Sequence, residues 1–273
     1  MIYENAHAKI NLILDVDRKR DDGYHDLNMI MIPIDLHDRL SFEIADDINL
    51  SSDVDIEDNA IIKTAKLIHK KYDVKKGVHI TLKKRIPIGA GLAGGSADIA
   101  ATIRGLNRLW ELNLPKEALE SIALELGSDT LFCLYEKPAY VSGRGEHIHF
   151  LDIPHIQNIY LFCPDVHVST QYVFKNHHIN ETNQDFQKVL SLYKNKEWHL
   201  FYDALYNDLL PTTLKCYPDL NHVYQSIKEL DEHVMMSGSG STFFLINSNL
   251  NIHKIIKKAK KMGVKSIKTS IKT

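Results

Sequence analysis

The stretch Ile86-Pro-Ile-Gly-Ala-Gly-Leu-Ala-Gly-Gly-Ser-Ala-Asp98 decides how the chain is read. Upstream of it, VHITLKKRI (78–86) alternates apolar and polar residues and reads as a strand. Downstream, Ile99, Ile103, Leu106 and Trp110 recur at helical spacing and predict a helix over 96–110. Four glycines, Gly89, Gly91, Gly94 and Gly95, lie between the two. Lacking Cβ, they let the backbone take positive φ and turn its N–H groups toward a ligand. The helix that follows adds free N–H groups and the positive end of its dipole. Together these features predict an anion cradle suited to phosphate. The competing reading is a tight turn whose glycines serve packing alone.

The kind of phosphate site is narrowed by what is missing. There is no GxxxxGK[ST], so a P-loop is excluded. Gly89, Gly91 and Gly94 do satisfy GxGxxG. A dinucleotide site also wants an acid about 20 residues later, at the end of a second strand. Glu111 stands near that distance, but it follows directly on a helix, and no strand fits between 96 and 112. The dinucleotide reading fails on context.

Further out, Ala8, Ile10, Leu12, Leu14 and Val16 fall on one face of a first strand, with His7, Lys9, Asn11 and Asp15 on the other. RDDGYH then reads as a turn, and 30–44 as extended. Asp58 and Asn59 are candidate N-caps for a helix over 60–72 with Ile61, Ala65, Ile68 and Tyr72 on its buried stripe. Pro115 suits N1 of another helix that ends at Gly127. A short apolar segment, DTLFCLYE, follows, then a strand near 139–141 and a turn at SGRGE. From about 154 the texture changes: a strand IYLFCP, helical patterns to about 230, and VMMSGSGSTFFLI as two strands around a glycine turn. An amphipathic helix over 252–262 and a last strand close the chain. The division expected is 1–153 and 154–273.

Composition excludes several classes. At roughly 150 residues per domain, 273 residues make about two small domains or one large one. Hydrophobic residues at 44% and charged residues at 25% rule out a disordered or fibrous chain. A net charge of −2 is no footprint of a dedicated duplex-DNA binder. Cys133, Cys163 and Cys216 form no CxxC, so neither a zinc ribbon nor a redox pair is written here, and the sparse count fits a reducing cytosol. No secretory leader and no membrane-spanning run is expected. His147 with His149, and His177 with His178, have no third ligand at recognisable spacing, so no metal centre is expected. The last 23 residues carry eight lysines and no acid. A nucleic-acid or membrane patch competes there with the plain polar face of the 252–262 helix.

IPIGAGLAGGSADIA resembles the phosphate-binding motif of the superfamily of galactokinase, homoserine kinase, mevalonate kinase and phosphomevalonate kinase, the GHMP kinases. AKINLIL, KRDDGYHDL, EDNAIIKTA, LGSDTLF, SGRGE and SGSGSTFF follow the order and spacing of one family within it. That family phosphorylates the 2-hydroxyl of 4-diphosphocytidyl-2-C-methyl-D-erythritol, in the non-mevalonate route to isoprenoid precursors. The resemblance implies an α+β, two-domain fold. Its N-terminal part would be a ribosomal-protein-S5-domain-2-like sheet with helices and a left-handed βαβ unit, its C-terminal part a ferredoxin-like α/β domain. It implies ATP and Mg²⁺, a small-molecule substrate carrying a cytidine diphosphate group, a cytoplasmic location, no nucleic-acid or membrane partner, and room for a homodimer.

Residue by residue, the resemblance makes Lys9 and Asp129 the catalytic pair. It gives the ATP phosphates to Pro87, Ile88, Gly89, Ala90, Gly91, Leu92, Ala93, Gly94, Gly95 and Ser96, and the adenine side to Asp58 and Asn59. It assigns the substrate to Asn11, Tyr24, His25 and Phe174, an aromatic stack with a polar group to read one base. The SGSGST turn, 237–242, would line the substrate side or be only a hairpin. Without the resemblance, Lys9 is an exposed lysine on an edge strand, Asp129 a helix cap, and Tyr24 and Phe174 core residues. Three departures stand out. Ala90 and Ala93 replace Gly or Ser, where a methyl is tolerated if φ is negative; Thr130-Leu131 follow Asp129 where the family has an aliphatic residue and Pro; Ser241-Thr242 lack a preceding Pro. Two other functions remain in view: a GHMP kinase with a drifted alcohol substrate, and a nucleotide-binding protein without catalysis.

Overall fold

The computed structural model describes residues 1–56, 59–179, 184–247 and 251–272; Asp58, one of the two expected caps, lies outside the described residues. The chain forms two compact units. One comprises Met1–Ala8, Leu36–Ile88 and Ala93–Glu136; the other comprises Lys9–Asp35, Gly89–Leu92 and the chain from Lys137 on. In chain order the elements begin β1 (Ile2–Lys19), β2 (His25–Ala45), β3 (Ile48–Ser52), α1 (Ala60–Lys71), β4 (Gly77–Lys83), α2 (Gly94–Leu109), α3 (Lys116–Leu126) and α4 (Thr130–Tyr135). They continue β5 (Ala139–Gly143), β6 (His147–Phe150), β7 (Ile159–Cys163), α5 (Thr170–Asn176), α6 (Phe186–Lys194), α7 (Trp198–Asp203), β8 (Tyr206–Asn207) and α8 (Leu209–Cys216). The last are α9 (Pro218–Lys228), β9 (Met235–Met236), β10 (Phe243–Ile246), α10 (Ile252–Lys261) and β11 (Lys265–Thr269).

In the first unit the far half of β2 pairs antiparallel with β4, from Arg39↔Lys83 to Ala45↔Gly77, and β3 joins β4 in parallel. Helix α1 is the crossover between those parallel strands. Ile61, Ala65 and Ile68 of its stripe are buried, and the Asn59 carboxamide accepts from Ile61 N at 2.9 Å as its N-cap. Helix α2 buries Ile99, Ile103 and Leu106, the residues its spacing singles out. It approaches the sheet at Gly105, where a Cβ would collide with the Phe42 ring. Pro115 is not N1 but the N-cap of α3, extended at φ −65°, ψ 158°. The apolar DTLFCLYE segment is a short helix, α4, with Thr130, Leu131, Phe132 and Cys133 all buried, as suits a helix covered on most of its circumference.

In the second unit β1 lies between β2 and β8, with Ile13↔Tyr206 and Leu14↔Asn207 in parallel register. The near half of β2 pairs with β5, and β5 with β6. A separate antiparallel sheet runs β11-β7-β10-β9. The glycine turn between β9 and β10 is flanked by Phe243↔Met236, as the sequence predicts. Helix α10 buries Ile252, Ile255 and Ala259 while Lys254, Lys257 and Lys260 face solvent and Lys258 pairs with Glu229 at 2.7 Å. Five of the eight lysines near the end of the chain, Lys254, Lys257, Lys258, Lys260 and Lys261, therefore belong to an amphipathic helix, and Lys265 and Lys268 lie on β11.

One expectation fails in β1. Alternation predicts an open face carrying Lys9 and Asn11, yet Lys9 is 3% exposed and Asn11 1%. Both faces of this stretch are covered, so its polar residues must find partners inside the protein.

Candidate active site

In the first unit the glycine stretch ends by starting α2. Ala93 occupies the N-cap position in the left-handed region, at φ 55°, ψ 30°, and no side chain caps the helix. Ala97 N already bonds Ala93 O at 2.9 Å. The earlier N–H groups of the first turn and the dipole of a 16-residue helix remain available to an anion. A Cβ on Gly95 would meet nothing within 4 Å, so the backbone there is open to close approach. The turn that carries Asp129 stands beside this helix start: a Cβ on Gly127 would lie 3.8 Å from Ser96 Oγ. Asp129 has the N-cap position of α4 at φ −86°, ψ −7°, but its carboxylate makes no capping bond. The capping reading of Asp129 is thereby set aside. Thr130 and Leu131, the departures that follow it, are both buried and seat the start of α4. Arg104 of α2 holds the other end of α4, donating to Cys133 O at 3.0 Å and pairing with Glu136 at 3.0 Å.

The positive φ of Ala93 overturns the expectation that its methyl sits at negative φ, whereas Ala90 does stay outside the left-handed region. The helix start demands that conformation, and alanine accepts its cost. Ala93→Gly is expected to stabilise the protein by roughly 0.5–1 kcal/mol, the left-handed penalty of about 1–2 less the larger unfolded-state entropy of glycine. Urea unfolding checks it; a destabilised variant would contradict it.

A buried charge cluster clamps both ends of the glycine stretch. Lys84, just after β4, reaches Asp38 Oδ2 at 2.5 Å and Asp98 Oδ2 of α2 at 2.6 Å, with all three side chains no more than 6% exposed. Asp38 also accepts from Arg85 N and, at 2.8 Å, from Ile86 N. Two carboxylates share one ammonium, so both partners of the Lys84–Asp98 bridge shift upward. Burial pulls Lys84 down, but the attraction of Asp98 and Asp38 outweighs it. For Asp98, burial, abetted by Asp38, pushes the carboxyl up to about 7 against the pull of Lys84. The unfolded chain has an Asp pKa of about 3.9. The folded state thus holds a proton that the unfolded state releases. The stabilising share of this group is full below about pH 4 and is lost as pH rises through 7. Asp98→Asn keeps the neutral form at every pH. It should therefore be the more stable protein at pH 8, with the difference closing toward pH 5. Urea unfolding across pH 5–9 tests this, and a variant less stable than the parent at pH 8 would refute it.

In the second unit the segment Gly89–Leu92 is laced to β1 and to the SGSGST turn. Lys9 N donates to Leu92 O at 3.2 Å, Thr242 N to Ala90 O at 3.2 Å, and Ser237 Oγ to Gly91 O at 2.9 Å. Gly91 has φ 74°, and a Cβ would run into Ser237 O and Gly240 O. Gly89 likewise leaves room only for the His167 ring. Packing therefore explains these two glycines, and the open approach belongs to Gly95. The turn joins β9 and β10 as a hairpin, and its Ser237, Ser239, Ser241 and Thr242 are all buried. Lys9 Nζ donates to Asn11 Oδ1 at 2.6 Å, and the same oxygen accepts from Gly238 N at 3.1 Å. Lys9 is thus a held cation, not an exposed edge lysine.

The same unit brings His25 and Phe174 together, their rings stacked 5.1 Å apart. Tyr24 is 52% exposed, which excludes core packing, and the Arg144 guanidinium lies 3.6 Å from its ring centroid. Burial, then the positive neighbours His177 and Lys19, hold His25 below the usual imidazole range. Near neutrality it is an uncharged ring with one donor and one acceptor nitrogen. Of the other histidines noted in the sequence, His147 lies 4.0 Å from Glu146 and His177 bonds Thr212 at 3.1 Å. Reading the sequence missed Lys84, Asp38 and Arg144, because no local spacing ties them to the site.

The family model described as GHMP kinases N terminal domain matches residues 59–137. A solved structure described as 4-(cytidine 5'-diphospho)-2C-methyl-D-erythritol kinase aligns with a TM-score of 0.80 at 29% identity, covering 98% of this chain and 99% of that one. Mevalonate kinase of Methanococcus jannaschii, at a TM-score of 0.72 and 11% identity over 100% of this chain and 98% of that one, shares the fold. Fold and helix-start site together define a small-molecule kinase of the GHMP class. The 4-diphosphocytidyl-2-C-methyl-D-erythritol kinase of Bacillus subtilis (strain 168) is 43% identical over 251 residues, 89% of this chain and 87% of the relative. That of Bacillus cereus (strain B4264) is 41% identical over 259 residues, 92% of this chain and 90% of the relative. The chain belongs to the 4-diphosphocytidyl-2-C-methyl-D-erythritol kinase family.

Proposed function

We propose that this protein transfers the γ-phosphoryl group of ATP to the 2-hydroxyl of 4-diphosphocytidyl-2-C-methyl-D-erythritol. The observation that carries the reading is the uncapped start of α2 beside a turn whose Asp129 does not cap its own helix. The N–H groups from Ala93 to Ser96 receive the phosphates of ATP, with Pro87 to Leu92 shaping the approach. Asp129 takes the proton of the attacking hydroxyl, and Lys9 stabilises the oxygen as it becomes an alkoxide. Asn59, already the α1 cap, borders the adenine. Tyr24 and Phe174 stack the cytosine while His25 and Asn11 meet polar edges of the substrate. Mg²⁺ would bind mainly to the ATP phosphates, with Ser96 Oγ offering an oxygen donor at the helix start, and would neutralise phosphate charge. In sequence terms 1–153 carries the nucleotide, and 154–273 supplies Phe174 and the SGSGST turn. The described residues contain no helix long and apolar enough to cross a membrane. None of Cys133, Cys163 and Cys216 is joined in a disulfide, which fits the reducing, cytoplasmic setting proposed here.

The test is direct. Purified protein with ATP, Mg²⁺ and the diphosphocytidyl substrate should release one ADP per phosphorylated product. Turnover of an alcohol without cytidine in preference to that substrate would mean a drifted kinase. Binding of ATP without transfer would mean a nucleotide-binding protein.

A further inference from the structure

Strand β8 is two residues long, and its second residue, Asn207, is 3% exposed. Its carboxamide is fully used. Nδ2 donates to Met236 O and to Gly238 O, each at 2.8 Å, and Oδ1 accepts from Leu209 N at 2.9 Å. The two carbonyls flank Ser237, whose hydroxyl holds Gly91 O, and Gly238 N is the donor that fixes Asn11 Oδ1. Asn11 in turn receives the Lys9 ammonium. A short chain of bonds therefore runs from Asn207 through the 236–238 turn to Asn11 and Lys9. The register Leu14↔Asn207 sets its far end on the same strand that carries Lys9.

We propose that Asn207 is a positioning residue of the kinase reaction, holding Lys9 in place through the 236–238 turn and Asn11. The proposal rests on Lys9 acting in catalysis. Only a primary amide offers two donors on one nitrogen and an acceptor beside them. An aspartate keeps the acceptor for Leu209 N but sets a carboxylate oxygen against two carbonyl oxygens. The turn must then shift, and Asn11 with it. A displacement of about 1 Å in a reacting group costs roughly 10²-fold in rate.

Asn207→Asp is expected to lower kcat about 10- to 10²-fold with KM for ATP within about twofold. Acid should restore part of it, since a protonated carboxyl can again donate to one carbonyl; the variant-to-parent ratio of kcat should rise from pH 8 to pH 6. In a Lys9→Ala background the same change should cost little more, because its effect runs through Lys9. Asn207→Ser, which retains one donor, provides a milder variant should the aspartate fail to fold; it should lose less kcat than the aspartate, with the same non-additivity. A folded Asn207→Asp or Asn207→Ser enzyme with parental kcat overturns the proposal, as does full additivity with Lys9→Ala. If the parent enzyme turns over the substrate and Lys9→Ala does too, the reading of Lys9 fails first, and that outcome is distinct from failure at Asn207.

Discussion

Asp129→Asn is expected to lower kcat by about 10²- to 10⁴-fold, the range associated with loss of a general base. Asparagine keeps the size and the hydrogen-bonding reach of aspartate but cannot accept the proton. The fold should hardly notice. Asp129 is half-buried, its φ and ψ are ordinary helical values, and its carboxylate makes no capping bond to α4. Because asparagine keeps an acceptor oxygen in the same place, stability should change by no more than about 1 kcal/mol. The affinity for ATP should also hold, because the helix start is built from backbone. Single-turnover ADP release, ATP binding and urea unfolding on the same preparation separate these effects. If Asp129 only supported the helix, Asp129→Ala would cost about 1 kcal/mol of stability and leave turnover alone. That pattern would remove Asp129 from the chemistry.

Lys84→Met should cause the largest loss of stability, about 3–5 kcal/mol, the usual result of removing one partner from a buried ionic cluster. Methionine fills the space of the lysine stem but leaves Asp38 and Asp98 facing one another without a cation. The penalty is structural as well as electrostatic. Asp38 holds the N–H groups of Arg85 and Ile86, so a displaced carboxylate frees the entrance to the glycine stretch. KM for ATP should rise along with the loss of stability. A change of less than 1 kcal/mol, with ATP affinity intact, would show that the cluster neither stabilises the unit nor shapes the loop.

Much of this was legible in the sequence where the signal is local. The stripe Ile99, Ile103, Leu106 declared α2, and Asn59 announced the start of α1. The order of short motifs picked out the family. The rest depends on contacts across long stretches of chain. Lys84, Asp38 and Asp98 are separated by 46 and 14 residues and match no pattern. Asn207 acts on carbonyls 29 and 31 positions away from a strand too short to show periodicity. The period-two rhythm of β1 is plain in the sequence, but alternation cannot reveal that the polar face is covered too. The left-handed Ala93 was hidden because the sequence shows the residue and not its φ.

The parallel pairing of Ile13 and Leu14 with Tyr206 and Asn207 has a consequence for biosynthesis. At ribosomal speeds of about 5–20 residues per second, the opening strand waits roughly 10–40 s for its partner to emerge. Throughout that interval Ile13 and Leu14, buried in the mature protein, lack the strand that pairs with them. A nascent chain of this kind is a client for holding chaperones, and overexpression should tax them before it exhausts the chain's own stability.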